Sequence, residues 1–226
     1  MSEAVKAMFG RIAPRYDLLN RVLSGGQDVA WRRQAVDLLA PGRGEVLDLA
    51  CGTYDLALAA LERGRAGRVH GCDFCVPMLL AGEAKRRGRP LSAAAGDALH
   101  LPYADGAFDT AMVAYGWRNF GDPRTSLTEL RRVLRPGGQL LVLEFFRPTT
   151  WWPRTFYGTF GRYVFPTVGH MLAGDSAAYR YLKDSIQGFI SPAEARALVI
   201  DIGFARQQWR PFFGGISHAL CATVAG

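Results

Sequence analysis

Three acidic residues stand at or near the ends of short apolar runs, and their order along the chain suggests what they hold. Asp48 lies in the run Val46-Leu47-Asp48-Leu49-Ala50, which crosses a small-residue bend, Cys51-Gly52-Thr53-Tyr54, and enters a helical pattern at Asp55. Small residues let the main chain approach a ligand where a helix N-terminus points its N–H groups outward. Asp73 ends the next run, Arg68 to Asp73. An acid about 20 residues beyond such a bend is where nucleotide-binding sheets hold ribose hydroxyls. After the third run, Gly96-Asp97-Ala98 offers a carboxylate for the exocyclic amine of a purine and a backbone N–H for its ring nitrogen. Unlike a dinucleotide site, the bend has one glycine and no good cradle for a pyrophosphate. Any one of these acids could be a helix cap, as Asp105 and Asp109 are read. Three at successive strand ends, in the right order, argue for a site.

Positioning these acids requires an alternation of strands and helices. Strands are predicted over 45–50, 68–73, 91–95, 108–115 and 139–146, and helices over 55–63, 76–87 and 123–134. Such alternation predicts a parallel sheet with helices on both faces. Arg135-Pro136-Gly137-Gly138 reads as a turn, and a helix over 193–202 precedes two strands, 204–210 and 216–224, expected to pair antiparallel. Residues 1–42 form a helical cap, with Trp31, Ala35, Leu38 and Leu39 at helical spacing before Pro41-Gly42. Residues 147–190 break the alternation and carry many aromatics, from Trp151 and Trp152 through Phe156, Tyr157 and Phe160. They are expected to form a helical lid over a greasy ligand, burying some rings as its own core.

At 226 residues a single domain, 1–226, is expected. The net charge of +7 favours an anionic surface or reflects an Arg-rich base composition. No dense basic run with interleaved aromatics points to nucleic acid. Met1 to Phe9 has no apolar core like a signal peptide's, and no apolar run reaches the ~18 residues of a membrane span. The expected location is cytoplasmic, with peripheral membrane contact. Cys72-Asp-Phe-Cys75 has redox or zinc spacing, but one pair without a second pair or a nearby His predicts no metal.

The Asp48-to-Thr53 bend resembles motif I of the S-adenosylmethionine (SAM) methyltransferases. More specifically, the chain resembles the ubiquinone/menaquinone C-methyltransferase family. The resemblance rests on Phe9-x-x-Ile12-Ala13-x-x-Tyr16-Asp17-x-x-Asn20 with Ser24 and Trp31-Arg32, and on Gly116-Trp117-Arg118-Asn119. It extends to Leu134-Arg135-Pro136-Gly137-Gly138, Leu143-Glu144-Phe145 and Tyr179-Arg180-Tyr181-Leu182 with Ser185-Ile186. It implies a Rossmann-like seven-stranded sheet, SAM as cofactor and a prenylated quinol substrate methylated on ring carbon. SAM contacts are implied at Thr53, Asp73, Asp97 and Ala98, and Asp48 with the 50–54 turn, including Gly52 and Tyr54, is expected at the methionyl part. Arg118 is the expected group near the quinol oxygen, oriented by Asn119. Tyr16, Tyr179 and Asp17 are candidates for substrate contact, and His170 for a proton acceptor, although a lone His is more often structural. A homodimer stays open.

Three positions depart from the family pattern. Tyr54 stands where Gly is usual, Ala114 replaces a polar residue, and Cys75 replaces Ser. A Tyr at such a turn costs about 1–3 kcal/mol if the backbone is unchanged, so either the turn has relaxed or the ring closes part of the cofactor pocket. The competing expectations are methylation of another lipid or secondary metabolite, and a non-catalytic scaffold that has lost SAM.

Overall fold

The computed structural model describes residues 3–42, 44–156, 158 and 176–225, the side chains of 176–179 excepted. One seven-stranded sheet holds β1 (Glu45–Leu49), β2 (Arg68–Asp73), β3 (Leu91–Ala95), β4 (Phe108–Ala114), β5 (Leu134–Glu144), β6 (Phe204–Phe212) and β7 (Ser217–Val224). The spatial order is β3-β2-β1-β4-β5-β7-β6. The first five strands pair in parallel, and β7 runs antiparallel between β5 and β6. This is a Rossmann-like α/β sheet with an antiparallel final pair.

The central strands are apolar on both sides because helices cover both faces. Side chains alternate across a strand, so β1 and β5 feed two cores. Leu47, Leu49, Leu140 and Val142 pack on one face with Leu127, Leu130 and Val199. Val46, Leu141 and Leu143 pack on the other with Ala35, Leu56 and Ala60. A Leu fully withdrawn from water contributes about 1.5–3 kcal/mol, and Leu47, Leu140, Leu141 and Leu143 are all fully buried.

The expected helices begin where local chemistry starts them. Asp122 caps α7 (Pro123–Val133) by accepting the Arg124 and Thr125 N–H groups, with Pro123 in the first turn. The cap of helix Pro192–Asp201 is reciprocal: the Ser191 side chain accepts from the Glu194 N–H, and Glu194 takes the Ser191 N–H. Other expectations change in detail. The N-terminal cap is three helices, α1 (Glu3–Ile12), α2 (Tyr16–Ser24) and α3 (Gln27–Val36), parted at Pro14 and at left-handed Gly25-Gly26. After α4 (Asp55–Glu62), the helix expected over 76–87 splits at Gly82 into α5 (Val76–Ala81) and α6 (Glu83–Arg86). Arg135–Gly138 lies within β5 and not in a turn before it: Leu134 pairs with Phe108 and the register resumes at Thr110 opposite Gln139. A bulge suits a Pro with no N–H to give.

Of the expected lid, residues 151–156 are helical and α8 (Ser176–Gly188) is a helix, followed by α9 (Pro192–Asp201). Residues 157 and 159–175, including Tyr157, Phe160 and His170, lie outside the described residues. The strand order reverses between β1 and β4, and in such sheets ligands bind in the crevice beyond the carboxyl ends there. Three non-glycine residues with left-handed backbone, Ala50, Tyr54 and Tyr115, stand at those ends.

Candidate active site

The bend after β1 is built around two buried acids. Asp73 accepts the Gly52 N–H (2.8 Å) through Oδ2 and the Cys75 N–H (2.8 Å) through Oδ1, which fixes the loops after β1 and β2 together. Burial nonetheless holds its carboxyl above the ordinary carboxylate range. Asp48 accepts the Ala57 N–H (3.0 Å) through Oδ2, while its buried Oδ1 has no partner. Burial pushes the Asp48 carboxyl up to about 8. A buried acid with a spare oxygen beside a small-residue bend is a site for a cation or ammonium. Asp97 accepts the Leu99 N–H (3.1 Å), and Asp97 and Ala98 line a small cleft with Leu49, Ala50 and Phe120. The bend and the loop after β4 meet closely: a Cβ on Gly116 would come within 2.5 Å of Ala50 Cβ.

Tyr54 corrects the expectation that its ring meets the cofactor or plugs the pocket. Its backbone is left-handed (φ 71°), so the strain is real. The ring, however, turns into the core, fully buried, and its hydroxyl donates to the Leu79 carbonyl at 3.1 Å. Gly82 leaves room for it, since a Cβ there would meet the ring at 2.6 Å.

Tyr115 and Arg118, on either side of Gly116-Trp117, line a cavity of about 360 Å³, within the size range of small-molecule sites. Its wall is mostly apolar: Met8, Phe9, Ile12 and Trp31 from the N-terminal cap, with Phe145, Phe156, Leu182, Ile186 and Phe213. Tyr16, expected as a substrate contact, lines it; the Tyr179 side chain lies outside the described residues, and Tyr181 of the same block faces the cavity. Burial raises the Tyr16 hydroxyl above the ordinary phenol range, against the pull of Arg32 and Arg118.

Arg118 also lines the cavity and is not a surface ion pair. Its Nη1 donates to Glu144 Oε1 (2.6 Å) and to the Tyr115 carbonyl (2.6 Å), and its backbone N–H donates to Glu144 Oε2 (3.2 Å). Burial works against the guanidinium charge, and Glu144 more than offsets it. Asn119 does not face the cavity or orient Arg118 as expected. It is buried, and its Oδ1 accepts from the Tyr181 hydroxyl at 2.7 Å. Its side chain therefore holds Tyr181 instead.

Asp17 sits at the bend and not in the cavity. It accepts from Thr53 Oγ1 (2.6 Å) and pairs with Lys85 (2.6 Å). Lys85 also meets Asp55 (2.7 Å), Asp55 meets Arg21 (2.9 Å), Arg21 pairs with Asp28, and Asp28 holds Arg32 (2.6 Å). This chain of alternating charges fastens the N-terminal cap over the bend. Sequence reading missed Asp28, Arg32, Tyr115 and Glu144 as site residues. The only signal was that Arg32 and Glu144 fall inside blocks carrying the family resemblance. The four cysteines are free and buried, and no group of three or more His, Cys, Asp or Glu among the described residues is arranged to hold a metal. No helix among them is long and apolar enough to cross a membrane.

The residues present fit SAM. The orphaned Asp48 Oδ1 suits its ammonium, the acid at the end of β2 suits its ribose, and the Asp97-Ala98 cleft its adenine. Comparison with known proteins agrees. A solved SAM-dependent methyltransferase from Thermotoga maritima shares the fold with a TM-score of 0.70 at 19% identity, covering 96% of this chain and 98% of that one. The [4+2]-cyclase SpnF aligns with a TM-score of 0.71 at 16% identity, covering 98% and 95%. Such likeness shows the fold alone. Sequence relatives are nearer. The demethylmenaquinone methyltransferase of Thermus thermophilus is 47% identical over 203 residues, 88% of this chain and 91% of that one. The ubiquinone/menaquinone biosynthesis C-methyltransferase UbiE of Paracoccus denitrificans is 38% identical over 218 residues, covering 94% and 87%. The model of the ubiE/COQ5 methyltransferase family matches residues 1–223, and this chain belongs to that family.

Proposed function

We propose that this protein is a SAM-dependent C-methyltransferase of a prenylated quinol, demethylmenaquinol or a ubiquinone precursor. One observation carries the reading: an apolar cavity lined by a buried guanidinium, Arg118, reaches the acid-lined bend at Tyr16, whose ring lies 4.0 Å from where a Cβ on Gly52 would stand. The names of the relatives supply the substrate class. SAM, when bound, supplies an electrophilic methyl on a sulfonium. The chain must then make a ring carbon nucleophilic and keep water away. A hydroquinol ionised at oxygen is nucleophilic at the adjacent carbon, and loss of the ring proton afterwards restores aromaticity. Arg118 lowers the cost of that oxyanion in an apolar site, and Glu144 holds Arg118 in place. The N-terminal cap and the 151–156 segment exclude water. No strong base is needed, because the quinolate already carries the negative charge.

Asp48, Gly52, Thr53, Asp73, Asp97 and Ala98 are assigned to SAM, and Tyr16 and Arg118 to the quinol, with Asn119 acting through Tyr181. Peripheral membrane contact belongs to the same reading. Phe213 and Val22 line the cavity yet are 56% and 45% exposed, and Trp151 beyond them is 75% exposed. The prenyl chain would leave the cavity through this apolar rim.

The test is methyl transfer from labelled SAM to reduced demethylmenaquinone in detergent. Arg118→Ala is expected to lower kcat by roughly 10²–10³-fold with SAM affinity retained, and Arg118→Lys to recover part of it. An Arg118→Ala enzyme with unchanged kcat would remove Arg118 from the chemistry.

A further inference from the structure

The cavity contains a second guanidinium that the mechanism above does not use. Arg32, from the middle of α3, lines the same cavity as Arg118 and is 6% exposed. Its Nη1 donates to Asp28 Oδ2 (2.6 Å), much as Arg118 donates to Glu144. Asp28 is buried too, and it has further donors in Arg21 and Ser24. It therefore does not depend on Arg32 for a partner. The two arginines are set around one ring stack: Tyr115 and Phe145 lie with centroids 4.4 Å apart, Arg32 covers the Tyr115 ring at 5.3 Å, and Arg118 the Phe145 ring at 5.7 Å. The Tyr16 hydroxyl lies within electrostatic reach of both.

A buried ion pair contributes little or nothing to stability over an apolar replacement. Two such couples facing one greasy cavity are better explained by a ligand with two polar ends. A mono-phenol has one oxygen to bind; a quinol has two, at opposite ends of its ring. We propose that Arg32, held by Asp28, binds the second quinol oxygen, remote from the carbon that is methylated, so that the substrate is selected as a 1,4-diol. The inference rests on the quinol reading above and adds to it a specificity-determining residue.

The experiment compares two soluble short-prenyl acceptors: the reduced naphthoquinol and the matching mono-phenol that lacks the remote oxygen. KM and kcat are measured for wild type, Arg32→Gln and Arg32→Lys, and SAM affinity is read by calorimetry. For wild type, the mono-phenol should raise KM about tenfold or more, the loss expected for one charge-assisted hydrogen bond. This arm needs no variant. Arg32→Gln should raise KM for the diol to the level of the mono-phenol and no longer distinguish the two. Arg32→Lys should restore most of the distinction. Equal wild-type KM values for diol and mono-phenol would overturn the inference alone. So would an Arg32→Gln protein that still distinguishes them and instead binds SAM weakly, which would place Arg32 on the cofactor. A wild type that binds SAM but methylates neither acceptor would reject the quinol reading, and this inference with it.

Discussion

Asp48 has a buried oxygen with no partner. With its folded-state value near 8, above that of an exposed Asp, the protonated form is favoured in the folded chain. The stability this contributes is fully present below pH about 4 and is lost as pH rises through about 8. Asp48→Asn, which mimics the protonated acid, should therefore raise Tm by roughly 5 °C or more at pH 8 and leave it nearly unchanged at pH 4. The same variant should bind SAM at least tenfold more weakly, for want of a charge to meet the ammonium. Wild-type binding at pH 7 should release protons, because an ammonium beside Asp48 pulls its carboxyl down. Calorimetry in buffers of different ionisation enthalpy measures that release. A Tm gain equal at both pH values would place the proton elsewhere. Arg118 and Arg32 share a different design: each is a buried guanidinium whose position is set by one buried carboxylate.

At the level of elements, α4, α5 and α6 are fitted to one another through Tyr54. Its left-handed backbone costs about 1–3 kcal/mol, and its buried ring recovers more than that. Tyr54→Phe should leave SAM affinity unchanged, since the ring is not in the site. Gly82→Ala should destabilise by roughly 1–3 kcal/mol through overpacking, and by less in a Tyr54→Gly background, where the ring is gone and only the Thr53 Cα, at 2.8 Å, still stands in the way. Denaturant titration of this double-mutant cycle reads the coupling; additive effects would contradict the packing. The strands and most helices were legible because alternation, caps and turn residues are local signals. β1 could be read from Val46-Leu47-Asp48-Leu49, and the α7 start from Asp122-Pro123. What was not legible depends on direction in space. Tyr54 turns inward because Gly82, at the break between α5 and α6, makes room. Asn119 meets Tyr181, from a helix far along the chain, and no local pattern signals that contact. Glu144 ends an apolar strand and gave no sign that it would hold Arg118.

The molecule as a whole carries a net charge of +7 and an exposed apolar rim at the cavity mouth. Together these suit an anionic bilayer in which a prenylated substrate is dissolved. Sedimentation with vesicles should show more binding to anionic than to zwitterionic lipid, reduced several-fold by Trp151→Ser with Phe213→Ser. The double variant should raise KM for a long-prenyl quinol and not for a short one. Equal sedimentation of wild type and double variant would contradict the rim as the contact.

The central claim is that the acid-lined bend and the arginine-bearing cavity work as one site for methyl transfer to carbon. Its most direct test is mass spectrometry and NMR of the product formed by the wild-type protein from labelled SAM and reduced demethylmenaquinone. One labelled methyl on the free ring carbon beside the prenyl-bearing carbon is predicted. A methyl found on oxygen, or none transferred while SAM is bound, would contradict it.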